Sequence, residues 1–436
     1  MSGQHQSSAI EQVQEAPLLK RLLQNTLLFL FSLLFIALLS ESLFYILNKL
    51  VPATQPKEPT IETTSEGGPA FERLDFFQYH TIFGYSGIPN VQKEFLGRII
   101  THNSKGLRGN EVDYRKPRDT FRMAFFGDSQ MWGWGVSDNE TIPAYAETIA
   151  SAHIGDKKFD SVNFGASGYG LDQSYLRLIS EGLQYKPDVI VLSFFADNDI
   201  WETGQHQAWG LEKPFFERRN GGLCVTNVPT KRAVGWPSDN IGYIMKKNLK
   251  VSSTKFSLAG MHFDLANTNT AGYFKHRNFT GSILSLFGNS GPDPLGAIEE
   301  YVGCMDRKHG RELSTWEQKR DLAIEMVIQF RDVAKANDIP FMVATKPLED
   351  DFRHLKLNGD YVYILSKLGA ANIDVIEVFT EAKNESIAAD ELFIQAGHLS
   401  RTGNRLIATE VLQRLGIIDA NAFTNYQQAE ARVTGL

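Results

Sequence analysis

Cysteine is scarce in this chain, with two residues in 436. Cys224 and Cys304 stand 80 positions apart and form no C-x-x-C pair, which removes zinc ribbons and thioredoxin-like redox motifs from consideration. They leave two readings open, one disulfide or two buried thiols. Positive charge is not in excess either: 44 Lys and Arg against 51 Asp and Glu leave a formal charge of −7 and no basic stripe. That balance argues against a nucleic-acid binder. There is no Walker motif, no metal-ligand cluster and no internal repeat. At 42% hydrophobic residues, the chain can bury one large core or two moderate ones.

What is present starts with an apolar block. Residues 27–39 are apolar apart from Ser32, and Leu43 to Ile46 continue the stretch beyond Ser40, Glu41 and Ser42. Together they are long enough to cross a hydrocarbon core of roughly 30 Å. Residues 22–48 are therefore expected to be an uncleaved transmembrane anchor, since no A-x-A cleavage site follows them. Lys20 and Arg21 on the N-terminal side place residues 1–21 in the cytoplasm and the remaining chain in the periplasm or outside. Lys49 and Lys57 weaken that charge asymmetry. Residues 49–70, rich in Pro, Thr, Ser, Glu and Gly, read as a flexible stem.

Folded sequence resumes at residue 71. The stretch 121–136, FRMAFFGDSQMWGWGV, opens as a buried strand and then meets Gly127, Asp128 and Ser129. A serine just past a core strand, where a helix begins, lies at the carboxyl edge of a sheet, where α/β proteins place their chemistry. Further strands are expected at 159–164, 187–195, 339–345 and 373–378, with helices at 171–185, 316–336 and 401–415. This alternation predicts an α/β fold, a flavodoxin-like three-layer α/β/α sandwich with a mainly parallel sheet. Residues 71–200 and 315–418 form it, 201–314 interrupt it as an insertion or lid, and 419–436 trail it. The insertion is rich in aromatics (Trp209, Phe215, Phe216, Trp236, Tyr243, Phe256, Phe263, Tyr273, Phe274). Such rings stack on sugars, although packing the insertion's own core is the more ordinary use.

Four loops at one sheet edge then carry the parts of acyl-transfer chemistry. Ser129 is the candidate nucleophile and His398 the base that takes its proton. The N–H groups of Ser129 and Gly168 and the side-chain amide of Asn198 are candidates for an oxyanion hole. With these residues in order, the chain resembles the SGNH (GDSL-type) hydrolases. Gly127-Asp128-Ser129 matches the first family block and NFGASGYG, with Gly168, the second. Ala196-Asp197-Asn198-Asp199 matches the third, with alanine in the glycine place, and GHLSRTGNRLIA around His398 matches the fifth.

The resemblance implies hydrolysis or transfer of ester-linked acyl groups, often acetyl on carbohydrate, with no metal or organic cofactor. The anchored layout is similar to that of bacterial envelope proteins that acetylate or deacetylate polysaccharides; other proteins of an envelope assembly complex are then expected partners. One position departs from the family. An aspartate normally stands two or three residues before the histidine, where this chain has Ala396 and Gln395. Gln395, or an acid from elsewhere such as Asp390 or Glu391, is the candidate orienting group. A Ser–His dyad and a degenerate, glycan-binding scaffold are the remaining readings. An outward location permits a Cys224–Cys304 disulfide tying the insertion together, with two buried thiols as the equal alternative.

Overall fold

The computed structural model describes residues 75–154, 157–208, 211–219, 221–230, 298, 301–302, 304–306 and 310–419, with the backbone of 255–258 and 261–264 and a few helical residues between 25 and 35. The chain divides into two compact units, one of residues 1–59 and 234–290, the other of 60–233 and 291–436.

The larger unit is built on a five-stranded parallel sheet: β1 (Thr120–Phe126), β2 (Lys158–Asn163), β3 (Val189–Phe195), β4 (Phe341–Lys346) and β5 (Asp374–Glu377). Spatial order is 2-1-3-4-5, the flavodoxin-like order, in which direction reverses between β1 and β3. Strands β1 and β3 are apolar almost throughout because helices cover both faces of the sheet. Pleating sends alternate side chains of β1 to opposite layers. Met123 and Phe125 join a core with helices α2 (Ile142–His153), α7 (Val378–Asn384) and α8 (Arg401–Arg414). Phe126 points the other way, stacked on Phe164 at 4.6 Å and edge-on to Phe330 at 5.8 Å. Phe330 belongs to α5 (Trp316–Ala336), which covers that face with α3 (Leu171–Ser180). The remaining elements named below are α1 (Ser129–Trp132), α4 (Asn198–Thr203) and α6 (Gly359–Ala370).

Helix boundaries follow local chemistry. Thr315 accepts from the Gln318 N–H while the Gln318 side chain accepts from the Thr315 N–H, a reciprocal cap that starts α5. Ser400 caps α8 through the N–H groups of Thr402 and Gly403. The helix expected over 171–185 stops at Ser180 and tightens into a 3₁₀ turn over Gly182–Tyr185. At Gly182 an added Cβ would meet the Phe126 ring at 2.6 Å, so this close approach to β1 requires glycine.

The first part of the segment read as an insertion packs with the α/β unit. Strands Phe215–Arg219 and Gly222–Thr226 form a hairpin whose Phe215 and Phe216 are fully buried, Phe216 edge-on to Tyr175 of α3 at 5.8 Å. Lys213 and Asp172, both wholly buried, form an ion pair that ties this region to α3; Lys213 Nζ also donates to the Gln205 and Pro214 carbonyls at 3.0 Å. Cys224 and Cys304 are joined by a disulfide, and Val225 exchanges backbone hydrogen bonds with Cys304 and Asp306 beside it. Phe256 and Phe263 pair across a separate hairpin, and Trp209, Trp236, Tyr243, Tyr273 and Phe274 lie outside the described residues. Most of 22–48 also lies outside them; among the described residues no helix is long and apolar enough to cross a membrane.

Because the disulfide closes a loop of 80 residues, Cys304→Ser should lower the unfolding free energy by about 2–5 kcal/mol. Chemical denaturation of the variant beside the oxidised parent measures it. Equal stability would mean that the backbone bonds of Val225 hold this junction unaided.

Candidate active site

The end of β1 builds the centre. Asp128 caps α1 by accepting the Gln130 N–H at 2.9 Å, so Ser129 becomes the first helical residue and its own N–H has no partner within the helix. Gly127 adopts φ +150, and a Cβ there would stand 2.8 Å from Ser193 Cβ on the neighbouring strand. Glycine therefore lets the turn leave the sheet tightly beside β3.

Across the site, residues Phe393–Ile394 pair with His398–Leu399 in a short antiparallel ladder ahead of α8. The Gln130 side-chain oxygen accepts the Leu399 N–H at 3.0 Å, fastening this loop to the turn that carries Ser129. The result brings Ser129 Oγ and His398 Nε2 to 2.8 Å across 269 residues of sequence. Ser129 is 9% exposed.

The other face of the histidine ring system answers the question of the missing aspartate. His398 Nδ1 lies 3.4 Å from the backbone oxygen of Gln395. Gln395 is thus in the orienting position, through its main chain and not its side chain. Asp390 does not reach; it is exposed and pairs with Arg353 at 2.7 Å. Glu391 has an exposed side chain, and its carbonyl receives the Ser400 hydroxyl. The reason is local: Ala396 and Gly397 both take positive φ, which curls 395–397 so that a carbonyl, not a side chain, faces the imidazole. Among the described residues, no carboxylate bonds His398.

The glycine loop after β2 is docked on the turn that carries Ser129. Asn163 Nδ2 donates to the Met131 carbonyl at 3.0 Å and the Ala166 N–H to the Gly127 carbonyl at 3.1 Å. Gly165 sits so close that a Cβ would stand 2.4 Å from the Trp132 nitrogen. Gly168 follows at φ +75, a left-handed conformation suited to glycine. Asn198, the first residue of α4, is also at the site. Its amide nitrogen donates to Asp128 at 3.0 Å and to Glu202 at 3.3 Å, so in this state its NH2 is turned to carboxylates.

Two residues that sequence reasoning passed over belong to the same place. Trp134 stacks on the His398 ring, centroids 4.4 Å apart and planes 21° from parallel. Lys346, the last residue of β4, is buried with its Nζ 3.4 Å from the centre of the Phe195 ring. Its signal in the sequence was a lysine closing an otherwise apolar strand. Burial lowers its pKa to about 7, against the opposing pull of Asp128, Asp197 and Asp199. Burial raises Asp128, and raises Asp199 well above the usual carboxylate range. His398 moves down to about 4, chiefly through burial and then through the Lys346 charge, with the Gln395 carbonyl pulling the other way. The imidazole is therefore neutral, and competent as a base, at ordinary pH.

No family model matches this chain, and no curated protein matches it in sequence. Solved structures that match this chain include an acetyl xylan esterase, 16% identical over 67% of this chain and 99% of that one, TM-score 0.35. A two-domain esterase active on acetylated mannans, crystallised with mannopentaose, is 9% identical, TM-score 0.33; the match covers 68% of this chain and about half, 49%, of that one. A member of the lipolytic G-D-S-L family from Veillonella parvula is 13% identical over 67% of this chain and 97% of that one, TM-score 0.28. These likenesses are distant and decide nothing about the substrate.

Two outcomes follow from this geometry. Replacing Gln130 by Met leaves the Leu399 N–H without its acceptor, which should cost about 1–3 kcal/mol of stability in thermal or chemical unfolding. A loss below 0.5 kcal/mol, as an approximate threshold, would show that the loop is held elsewhere. For any ester substrate that the Ser129–His398 pair turns over, kcat/KM should fall only as pH drops through about 4. The sign is set by the base, which must be unprotonated, and by the downward displacement of its pKa. An acid limb centred near 6.5 would mean that the ring is far better solvated than the fold implies.

Proposed function

We propose that this chain is a serine esterase or O-acyltransferase of the SGNH type, acting through an acyl-enzyme at Ser129 on ester-linked acyl groups of carbohydrate. One observation carries the reading: the 2.8 Å contact of Ser129 Oγ with His398 Nε2 at the carboxyl edge of a 2-1-3-4-5 sheet, where strand order reverses. The chemistry that this arrangement supports is direct. Ser129 Oγ attacks the ester carbonyl carbon as its proton passes to Nε2, and the Gln395 carbonyl keeps the Nδ1 hydrogen on the far side of the ring. The tetrahedral oxyanion is received by the Ser129 and Gly168 N–H groups. Asn198 joins them once its amide turns away from Asp128 and Glu202. Nε2 then protonates the departing alcohol oxygen. Water or a sugar hydroxyl, deprotonated by the same nitrogen, attacks the acyl-enzyme, and Nε2 returns the proton to the departing Ser129 Oγ, giving hydrolysis or transfer respectively.

Carbohydrate as acceptor and acetyl as the acyl group follow from the resemblance of the four sequence blocks to the SGNH hydrolases. The esterases of acetyl xylan and acetylated mannans among the similar folds agree with that choice without deciding it. We place residues 22–48 in a membrane as a single-pass anchor, with the α/β unit outside the cytoplasm. Support comes from the apolar run and from Leu28, Phe29 and Phe35, which are helical and 54–66% exposed. An uncovered apolar helical stretch needs lipid or protein against it. The second reading is a catalytically silent glycan-binding or scaffolding subunit of an envelope polysaccharide complex. It is favoured by one observation, that the ring of His398 faces a carbonyl where a carboxylate would stabilise the imidazolium.

A fluorophosphonate probe tests the choice. It should label wild-type protein at Ser129, and Ser129→Ala should abolish the labelling, while His398→Ala should reduce it by roughly 10³-fold or more. Wild-type protein that stays unlabelled, yet retains glycan in a pull-down, would leave the scaffold reading. Membrane placement is read separately, by fractionation and by protease access to the α/β unit in intact cells stripped of their outer layer.

A further inference from the structure

Resting on the nucleophile–base reading above, we infer that Trp134 is the positioning residue that replaces the missing triad carboxylate, holding the plane of the His398 ring and stabilising its positive charge through its indole face.

The loop carrying Trp134 is built as a rigid platform. Arg108, 3% exposed, directs its guanidinium onto the carbonyls of Trp132, Gly133 and Val136, and is itself held by Asp138 at 2.8 Å. The Trp134 backbone N–H donates to the Ser129 carbonyl at 3.0 Å, so the main chain that bears the indole is tied directly to Ser129. Two glycines flank it. Gly133, at φ +93, closes α1 where a Cβ would lie 2.5 Å from Thr141 Cγ2. Gly135, at φ +74, passes so near Ile394 that a Cβ would lie 2.7 Å from its Cδ1. The platform therefore presses against the 394–398 loop, and what it presents there is the Trp134 face, stacked on the imidazole. The indole edge is backed by Phe95 at 5.8 Å.

The need for such a group follows from the proton transfer. When Ser129 Oγ gives its proton to Nε2, the ring becomes an imidazolium, and the Gln395 carbonyl supplies only a dipole at 3.4 Å. The charged groups around the ring make this worse. Lys346, on β4, repels the imidazolium, while Asp128, on the nucleophile turn, is turned to Asn198 and the Gln130 N–H. An indole face is the strongest π partner among side chains for a cation stacked at this distance. It also fixes the ring plane with Nε2 toward Ser129 and Nδ1 toward Gln395, which a carboxylate would otherwise do.

The test compares Trp134→Leu, Trp134→Phe and wild type in the full chain. It uses 4-nitrophenyl acetate turnover and NMR titration of the His398 ring. Leu keeps the apolar cover and removes the π face. It should lower kcat roughly 10-fold with little change in KM, and move the acid limb and the ring titration to lower pH by about one unit. Phe keeps a face and should recover most of both. A Leu variant that folds but leaves the titration in place, or moves it upward, overturns the inference, because an apolar wall alone would then suffice. The ring titration reads Trp134 even in protein that turns over no ester. Absence of fluorophosphonate labelling in wild type therefore sinks the nucleophile reading, and an unmoved titration sinks the role of Trp134.

Discussion

One buried carboxylate holds the candidate site together. Asp128 stands at the end of β1, caps α1 through the Gln130 N–H, receives the Asn198 amide from α4, and lies 3.4 Å from Ser129 Oγ. Burial alone would push its proton affinity up, and these donors with the Lys346 charge counter that. The group is stable as an acceptor only because the loops after β1 and β3 and the end of β4 all converge on it. That convergence exists only in a parallel sheet whose strand order reverses at β1 and β3. Sheet order, cap and the placement of Ser129 are therefore one constraint seen at three scales.

The constraint extends outward through backbone contacts more than through side-chain pairs. Gly127, Gly165 and Gly182 are places where β1, its turn and the neighbouring segments approach closer than a Cβ allows. Gln130 then ties the histidine loop to the same turn. The site is rigid because the elements bearing it are packed against one another at van der Waals limits, and a shift in one is resisted by the rest. Water-poor surroundings follow from the same packing and account for the direction of every displaced pKa in the site: His398 and Lys346 downward, Asp128 and Asp199 upward.

Much of this was legible in residue order. Nearly continuous apolar runs marked β1 and β3, because a parallel strand covered on both faces leaves little polar alternation to misread. The helix at 316–336 was legible to the residue, since Thr315 and Gln318 form its cap and helical spacing of Leu322, Met326, Phe330 and Val333 marks its inner face. The helix over 171–185 was read too long because periodicity persists through Leu183, while the close approach of Gly182 to Phe126 depends on a strand 56 positions away. The side-chain role expected of Gln395 failed for a similar reason. Positive φ at Ala396 and Gly397 turns a carbonyl to the ring, and nothing in the letters Gln-Ala-Gly-His specifies that curl.

By itself, then, the sequence determined the element types, the serine after the first core strand, the glycine loop, and the histidine at the head of the last helix. These depend on local physics: apolar periodicity, capping and turn chemistry act over a few residues. Tertiary structure alone decided that Ser129 and His398 meet across 269 positions, that Trp134 stacks on that imidazole while the Lys346 charge acts on it, and that Asn198 turns its amide to Asp128. Those outcomes depend on strand order and on loop closure between distant segments, which are set by the packing of the whole core and leave no mark in any short stretch of the chain.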